Sequence, residues 1–177
     1  MRIEADSVLR HPRDAVFTAY RDALPAFASF LPNVRSIDVV DRQAQGDVVH
    51  LHNVWHGATE LPTSLAGALE ARVLSWDDHA AWDERAYTAD WVIEPHAFRN
   101  AVRCRGRSAF IALGGGRTRL EMTGELSIEL DRVRAIPSFL AGSLARTAEA
   151  FLLRQVTANL TSVSDALAAY LGEDTVA

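Results

Sequence analysis

The chain has no lysine; all 18 of its basic residues are arginine. The two side chains bind anions differently, but no run of basic residues gathers them, and the net charge is −5. We read the missing lysine as a mark of biased genome composition. The lack of a basic run excludes a broad nucleic-acid footprint. Cysteine is almost as scarce. Cys104 stands alone, so an internal disulfide and a CxxC metal or redox pair are both excluded, and its position on a strand suits a small buried hydrophobe. No apolar stretch runs uninterrupted for the ~18 residues that a membrane-spanning helix needs. Met1 to Asp6 alternates charged and apolar residues without the apolar core of a secretory leader. These absences lead us to expect a protein of the reducing cytoplasm with no integral membrane segment.

Familiar catalytic motifs are missing too. There is no GxSxG nucleophile elbow, and Cys104 has no neighbouring activator. Gly114-Gly115-Gly116 lacks the Lys-Ser/Thr and following helix of a phosphate loop, and reads as a hairpin turn. Asp77-Asp78-His79 reads as another turn, and a carboxylate pair on a turn rarely holds a metal. We therefore expect no cofactor.

What remains is a chain of 177 residues, 49% of them hydrophobic, enough for one core and one domain over 1–177. Residues 2–9 alternate, with Ile3, Ala5, Ser7 and Leu9 on one face, and predict a half-buried strand. Pro12 suits the first turn of a helix, to which Val16, Phe17 and Tyr20 give an apolar side. Phe27, Phe30 and Leu31 suggest a second short helix ending at Pro32-Asn33. Residues 34–42 and 47–56 form a hairpin around Gln43 to Gly46, and 57–68 is a loop or one or two helical turns. Further strands are expected at 69–76 and 82–94, on either side of Asp77-Asp78-His79, with a turn at Glu94-Pro95-His96.

The clearest pair is 100–113 with 117–130. Leu120, Met122, Leu126, Ile128 and Leu130 share one face of the second strand. With Leu113 opposite Arg117, Arg105 faces Glu125 on the solvent side, where such pairs add a few tenths of a kcal/mol. Gly106 then faces Gly124 on the inner side. Glycine in a strand centre needs a reason: close approach of a helix, a bulge that curves the sheet, or room for a ligand. From Pro137 to Leu171 apolar residues recur at three- and four-residue steps, which predicts a helix of ~35 residues and ~50 Å. Coming after a run of strands, it must bury its apolar stripe on their sheet.

The stretch Ser7-Val8-Leu9-Arg10-His11-Pro12-Arg13-Asp14-Ala15-Val16-Phe17, with Tyr20-Arg21-Asp22, resembles the opening of START-like (Bet v 1-like, polyketide cyclase/dehydrase and lipid-transport) domains. Phe30-Leu31-Pro32-Asn33-Val34-Arg35-Ser36-Ile37 looks like their second element. The resemblance implies an α+β helix-grip fold: a curved seven-stranded antiparallel sheet wrapped around a long C-terminal helix, with two short helices after the first strand. It also implies an internal cavity for a hydrophobic molecule. The superfamily shares no catalytic motif, so fold does not settle function.

Three functions stay open. The first is a non-catalytic carrier or sensor of a hydrophobic small molecule or lipid, with access near 57–68 and the helix start. Trp55, Tyr87, Trp91, Cys104, Gly106, Ser108, Phe110, Met122, Gly124, Leu140, Leu144 and Phe151 are its expected lining. Gly106→Trp is then expected to reduce uptake while the domain folds. The second is a cyclase or aromatase, for which inward polar groups are needed; Arg85 and Tyr87, which share strand parity with Trp91, and His50 or His52 are the candidates. The third is a protein-interaction module with a closed interior. His50, His52 and His56 share one strand face, and an exposed face is preferred for them over a cavity or metal role. Neighbours on one face lie about 7 Å apart at their roots, so two imidazoles reach one metal but His56 is too distant. Val49, Leu51 and Trp55 look like the buried side.

Overall fold

The computed structural model describes residues 1–61, 63, 73–96, 101–129 and 138–172. Strand β1 (Arg2–Leu9) runs into helix α1 (Arg13–Asp22), the short helix α2 (Leu24–Phe27) and a 3-10 turn (Ala28–Phe30). Six strands follow: β2 (Val34–Gln45), β3 (Val48–Glu60), β4 (Val73–Asp83), β5 (Thr88–Pro95), β6 (Val102–Gly114) and β7 (Arg117–Ile128). The last described element is the long helix α3 (Ser138–Tyr170). The strands form one antiparallel sheet in the order β1-β7-β6-β5-β4-β3-β2. No described helix is long and apolar enough to cross a membrane.

Alternation decides which side of the sheet is buried. Ile3 and Leu9 of β1, Leu120, Met122 and Leu126 of β7, and Val49, Leu51 and Trp55 of β3 all face the core. The opposite face carries the arginines of β6 and the histidines of β3. There Arg105 pairs with Glu125 at 3.3 Å, and Arg107 grips Asp90 through two hydrogen bonds of 2.6 and 2.7 Å. Register slips between Val34 and Ser36 and between Val39 and Asp41 mark bulges in β2, which add twist to that end of the sheet.

Helix α3 docks chiefly on β1 and on the short helices and 3-10 turn, which themselves rest on β2 and β6. Its own Phe151, Val163, Ala166 and Leu167 are buried, and the Ser7 hydroxyl hydrogen-bonds that of Ser164 at 2.7 Å. The ring of Phe17 on α1 meets Trp82, Tyr87 and Phe110 edge to face at 5.1–5.4 Å, fixing the short helices to the sheet.

Two sequence expectations are corrected here. Asp77-Asp78-His79 is no turn; it lies in the middle of β4. A hydrophilic run survives inside a strand because each member has a cross-strand partner on β3, described below. The turn falls after Asp83, whose Oδ1 accepts hydrogen bonds from the backbone N–H groups of Arg85 and Ala86 at 2.9 Å each. Arg85 and Tyr87 therefore lose the strand parity assigned to them. The pairing of β6 with β7 follows the expected register, with Arg105 opposite Glu125 and Gly106 opposite Gly124; the slip needed to close the turn is confined to Ala112–Gly114. Strand β3 extends to Glu60, taking in the first residues of the expected loop 57–68; residues 62 and 64–72 lie outside the described part, as do 97–100 and 130–137.

Candidate functional site

Between the inner face of β3–β6 and the middle of α3 lies a cavity of about 90 Å³. Its walls are aromatic: Trp55 from β3, Trp76 and Trp82 from β4, Trp91 from β5, and Tyr20 from α1. Trp55 and Trp76 sit opposite each other on β3 and β4 and stack at 5.7 Å. Gln155, Val156, Asn159 and Val163 form the helical side.

One carboxyl enters this apolar space. Period-two alternation turns Asp78 of β4 inward, between Trp76 and Ala80. Trp55 Nε1 and Asn53 Nδ2 both donate to its Oδ2 at 3.3 Å, while Oδ1 accepts no hydrogen bond among the described residues. Burial pushes the Asp78 pKa up from the ordinary carboxylate value; the two hydrogen bonds and the nearby His79 and His52 pull the other way. Burial, and then the Asp78 charge, push the Tyr20 phenol up. Two more polar atoms on lining residues are buried without a partner among the described residues, Trp82 Nε1 and Asn159 Oδ1. Buried polar groups are normally paired, so a donor, an acceptor and a half-used carboxyl around one cavity form the vocabulary of a binding site.

Of the residues expected from sequence, Trp55, Trp91, Cys104 and Ser108 line this cavity. The Cys104 thiol is pushed up to about 12 by burial and is not a thiolate at neutral pH. Ser108 is buried and accepts a hydrogen bond from Trp91 Nε1 at 3.2 Å. Gly106 and Gly124 have a different role from the ones expected. They lie in a regular register beside Trp91, and the indole covers both: a Cβ at Gly124 would stand 2.7 Å from the ring and 2.8 Å from the Arg105 carbonyl oxygen, and one at Gly106 would be closer still to the ring and to the Thr123 carbonyl. The paired glycines house a side chain, not a ligand, and Gly106→Trp is incompatible with this packing.

Phe110, Met122 and Phe151 are buried in the core, outside the cavity lining. The side chains of Leu140 and Leu144 lie outside the described part. Arg85 is largely exposed on the β4–β5 turn and faces Asp47 at 3.5 Å. Tyr87, in left-handed backbone at φ 54°, packs on Phe17 beneath the Arg13 guanidinium, 3.6 Å from its centroid. Neither reaches the cavity. The histidines of β3 keep to the outer face: His52 pairs with Asp77 at 2.8 Å and His56 with Asp38 at 2.9 Å. Sequence reasoning missed Asp78 because its polar neighbours resembled a turn; the apolar residues at 74, 76, 80 and 82 were the signal that the strand ran through it.

No family model matches the chain, and no curated protein matches it in sequence. Solved structures do. TTHA0849 from Thermus thermophilus has a TM-score of 0.65 at 16% identity, over 96% of this chain and 99% of that one. The Zhui aromatase/cyclase from Streptomyces sp. R1128 has 0.65 at 18% identity, over 96% and 92%. A START superfamily protein from Mycobacterium smegmatis has 0.52 at 10% identity, over 96% and 95%. Seven antiparallel strands curved about a long C-terminal helix, two short helices after the first strand and these likenesses together give one answer: the chain has the START-like, Bet v 1-like helix-grip fold.

Proposed function

We propose that this chain binds a small, mainly apolar molecule that carries a hydrogen-bond donor, in the cavity between the sheet and α3, and acts as a non-catalytic carrier or sensor. The observation that carries this reading is the Asp78 carboxyl, set in a wall of four tryptophans with Oδ2 held by Trp55 and Asn53 and Oδ1 unengaged among the described residues. Apolar walls with few placed polar groups are the common make-up of such sites. A donor on the ligand would complete Oδ1, and Trp82 Nε1 and Asn159 Oδ1 would take up a second polar group or a water.

The volume bounds the ligand. About 90 Å³ is less than the roughly 150 Å³ that admits benzene to an engineered apolar cavity, and well below the ~300–1,000 Å³ of drug-sized sites. A ring-sized ligand requires α3 or an indole to give way. The likeness to the aromatase/cyclase supports a second reading, a cyclase-like enzyme in which Asp78 touches the substrate, and the size of the cavity weighs against a long polyketide chain.

The test is titration with 2-naphthol, followed by NMR of the tryptophan indole N–H signals. Saturable shifts of the Trp55 and Trp82 signals are expected; shifts confined to exposed backbone amides would overturn the proposal. Turnover of a poly-β-ketone mimic, abolished by Asp78→Ala in a folded protein, would move the assignment to the enzyme reading.

A further inference from the structure

The outer face of the sheet carries a second cluster, independent of the cavity. His52 on β3 stands directly opposite His79 on β4, and Asp77, two residues along β4, shares their face. One donor atom from each of these three residues lies within 4.8 Å of the others. Asp77 is buried although it faces outward. Its Oδ1 meets His52 Nε2 at 2.8 Å and its Oδ2 meets His96 Nε2 at 3.0 Å. The His52 and His79 rings stack at 4.2 Å with their planes 24° apart.

From this geometry we infer a binding site for a divalent transition-metal ion, with His52, Asp77 and His79 as ligands. Two imidazoles and one carboxylate are the donor types that take Zn²⁺, and also Co²⁺, Ni²⁺ and Cu²⁺. His96 supplies the support such sites need, fixing the carboxylate through its second oxygen. The ion enters between His52 Nε2 and Asp77 Oδ1. Any proton shared between them goes to solvent, and the two atoms separate by about half an ångström to reach metal–ligand distances near 2.0–2.1 Å. Stacked rings direct their in-plane lone pairs nearly parallel, so one must tilt; His79 is exposed and can turn without losing core packing. With neutral imidazoles the cluster holds one net negative charge, that of Asp77, which favours a dication.

The site opens onto a broad trough of about 960 Å³ across the outer face, lined by His50 as well as His52 and His79. Three protein ligands leave a coordination position facing that trough for water or a small anion. The missed signal in the sequence was that His52 finds its partners on another strand; His50 and His56, its companions in sequence, are not among the three ligands.

Calorimetric titration of the untagged protein with Zn²⁺ tests this. One equivalent should bind. His79→Ala should weaken binding at least tenfold, and so should Asp77→Asn, while His56→Ala, which removes the imidazole paired with Asp38, should bind like the parent. Titration with Co²⁺ gives a second readout on the same folded samples: visible absorption of the intensity typical of four-coordinate Co²⁺ should develop in the parent and be lost in His79→Ala. A parent that fails to bind one equivalent, or a His79→Ala protein that binds both ions as the parent does, would overturn the assignment.

Discussion

At the scale of single residues, the interior is organised by what lies over a flat patch of backbone. Gly106 and Gly124 form that patch and the Trp91 indole occupies it, with its N–H anchored on Ser108. Adding one methyl group at Gly106 meets both the ring and the Thr123 carbonyl oxygen. Gly106→Ala is therefore expected to cost about 1–3 kcal/mol, as overpacking does, in urea denaturation. The cost should be smaller in a Trp91→Leu background, where the ring no longer presses on the site; equal costs in both backgrounds would separate the glycine from the indole. Cys104 gives a second check. Its thiol lies in the cavity wall and is pushed up to about 12 by burial, so iodoacetamide near pH 8, about where a free thiol begins to ionise, should leave the native protein unmodified and label it only after unfolding. Rapid labelling of the folded protein would show an open, wet cavity.

At the scale of elements, α1 is tied to the sheet by charge as well as by Phe17. Arg21 pairs with Asp22 at 2.8 Å and with Glu84 on the β4–β5 turn, and Arg42 of β2 reaches Asp22 at 2.7 Å. The hydrogen bond from Arg21 holds the Asp22 carboxyl below its ordinary value; burial, the next largest effect, opposes it, and the hydrogen bond from Arg42 adds to the lowering. A lowered folded pKa contributes stability that is present above the unfolded value of about 3.9 and is lost as pH falls through the folded one. The difference in Tm between the parent and Asp22→Asn should accordingly shrink as pH drops below about 4. A difference that stays constant down to acid unfolding would mean the network contributes nothing through ionisation. Elements were also the scale at which the sequence was most legible. The first strand, the paired short helices, the β6–β7 register and the long helix each rest on periodicity within one segment. Strand β4 escaped because its polar residues are satisfied across strands: Asp78 by Asn53 and Trp55, and Asp77 by His52 and His96. Such pairings join residues about 20 or more positions apart and leave no local pattern. Placing a turn at 77–79 then assigned Arg85 and Tyr87 to a strand and hid the Asp78 carboxyl in the cavity.

At the scale of the molecule, the sheet presents two unlike faces. The inner one is aromatic and meets α3 over a small void; the outer one is rich in arginine, histidine and carboxylates and is open to solvent. Because α3 leans on β1 and the short helices, the void falls over β3–β6, where the four tryptophans lie. The existence of a hollow followed from a helix crossing a curved sheet, but its size depended on rotamers that no sequence pattern reports, above all the indole of Trp91 lying flat on two glycines. The central claim is that Asp78 selects ligands bearing a donor. The most direct measurement compares the affinities of 2-naphthol and naphthalene, read by quenching of tryptophan fluorescence, in the parent and in Asp78→Leu. A hydrogen bond contributes about 0.5–1.5 kcal/mol net, so the preference of the parent for 2-naphthol should fall roughly threefold or more in the variant. A preference that is the same in both proteins, or no binding of either compound by the parent, would contradict the account.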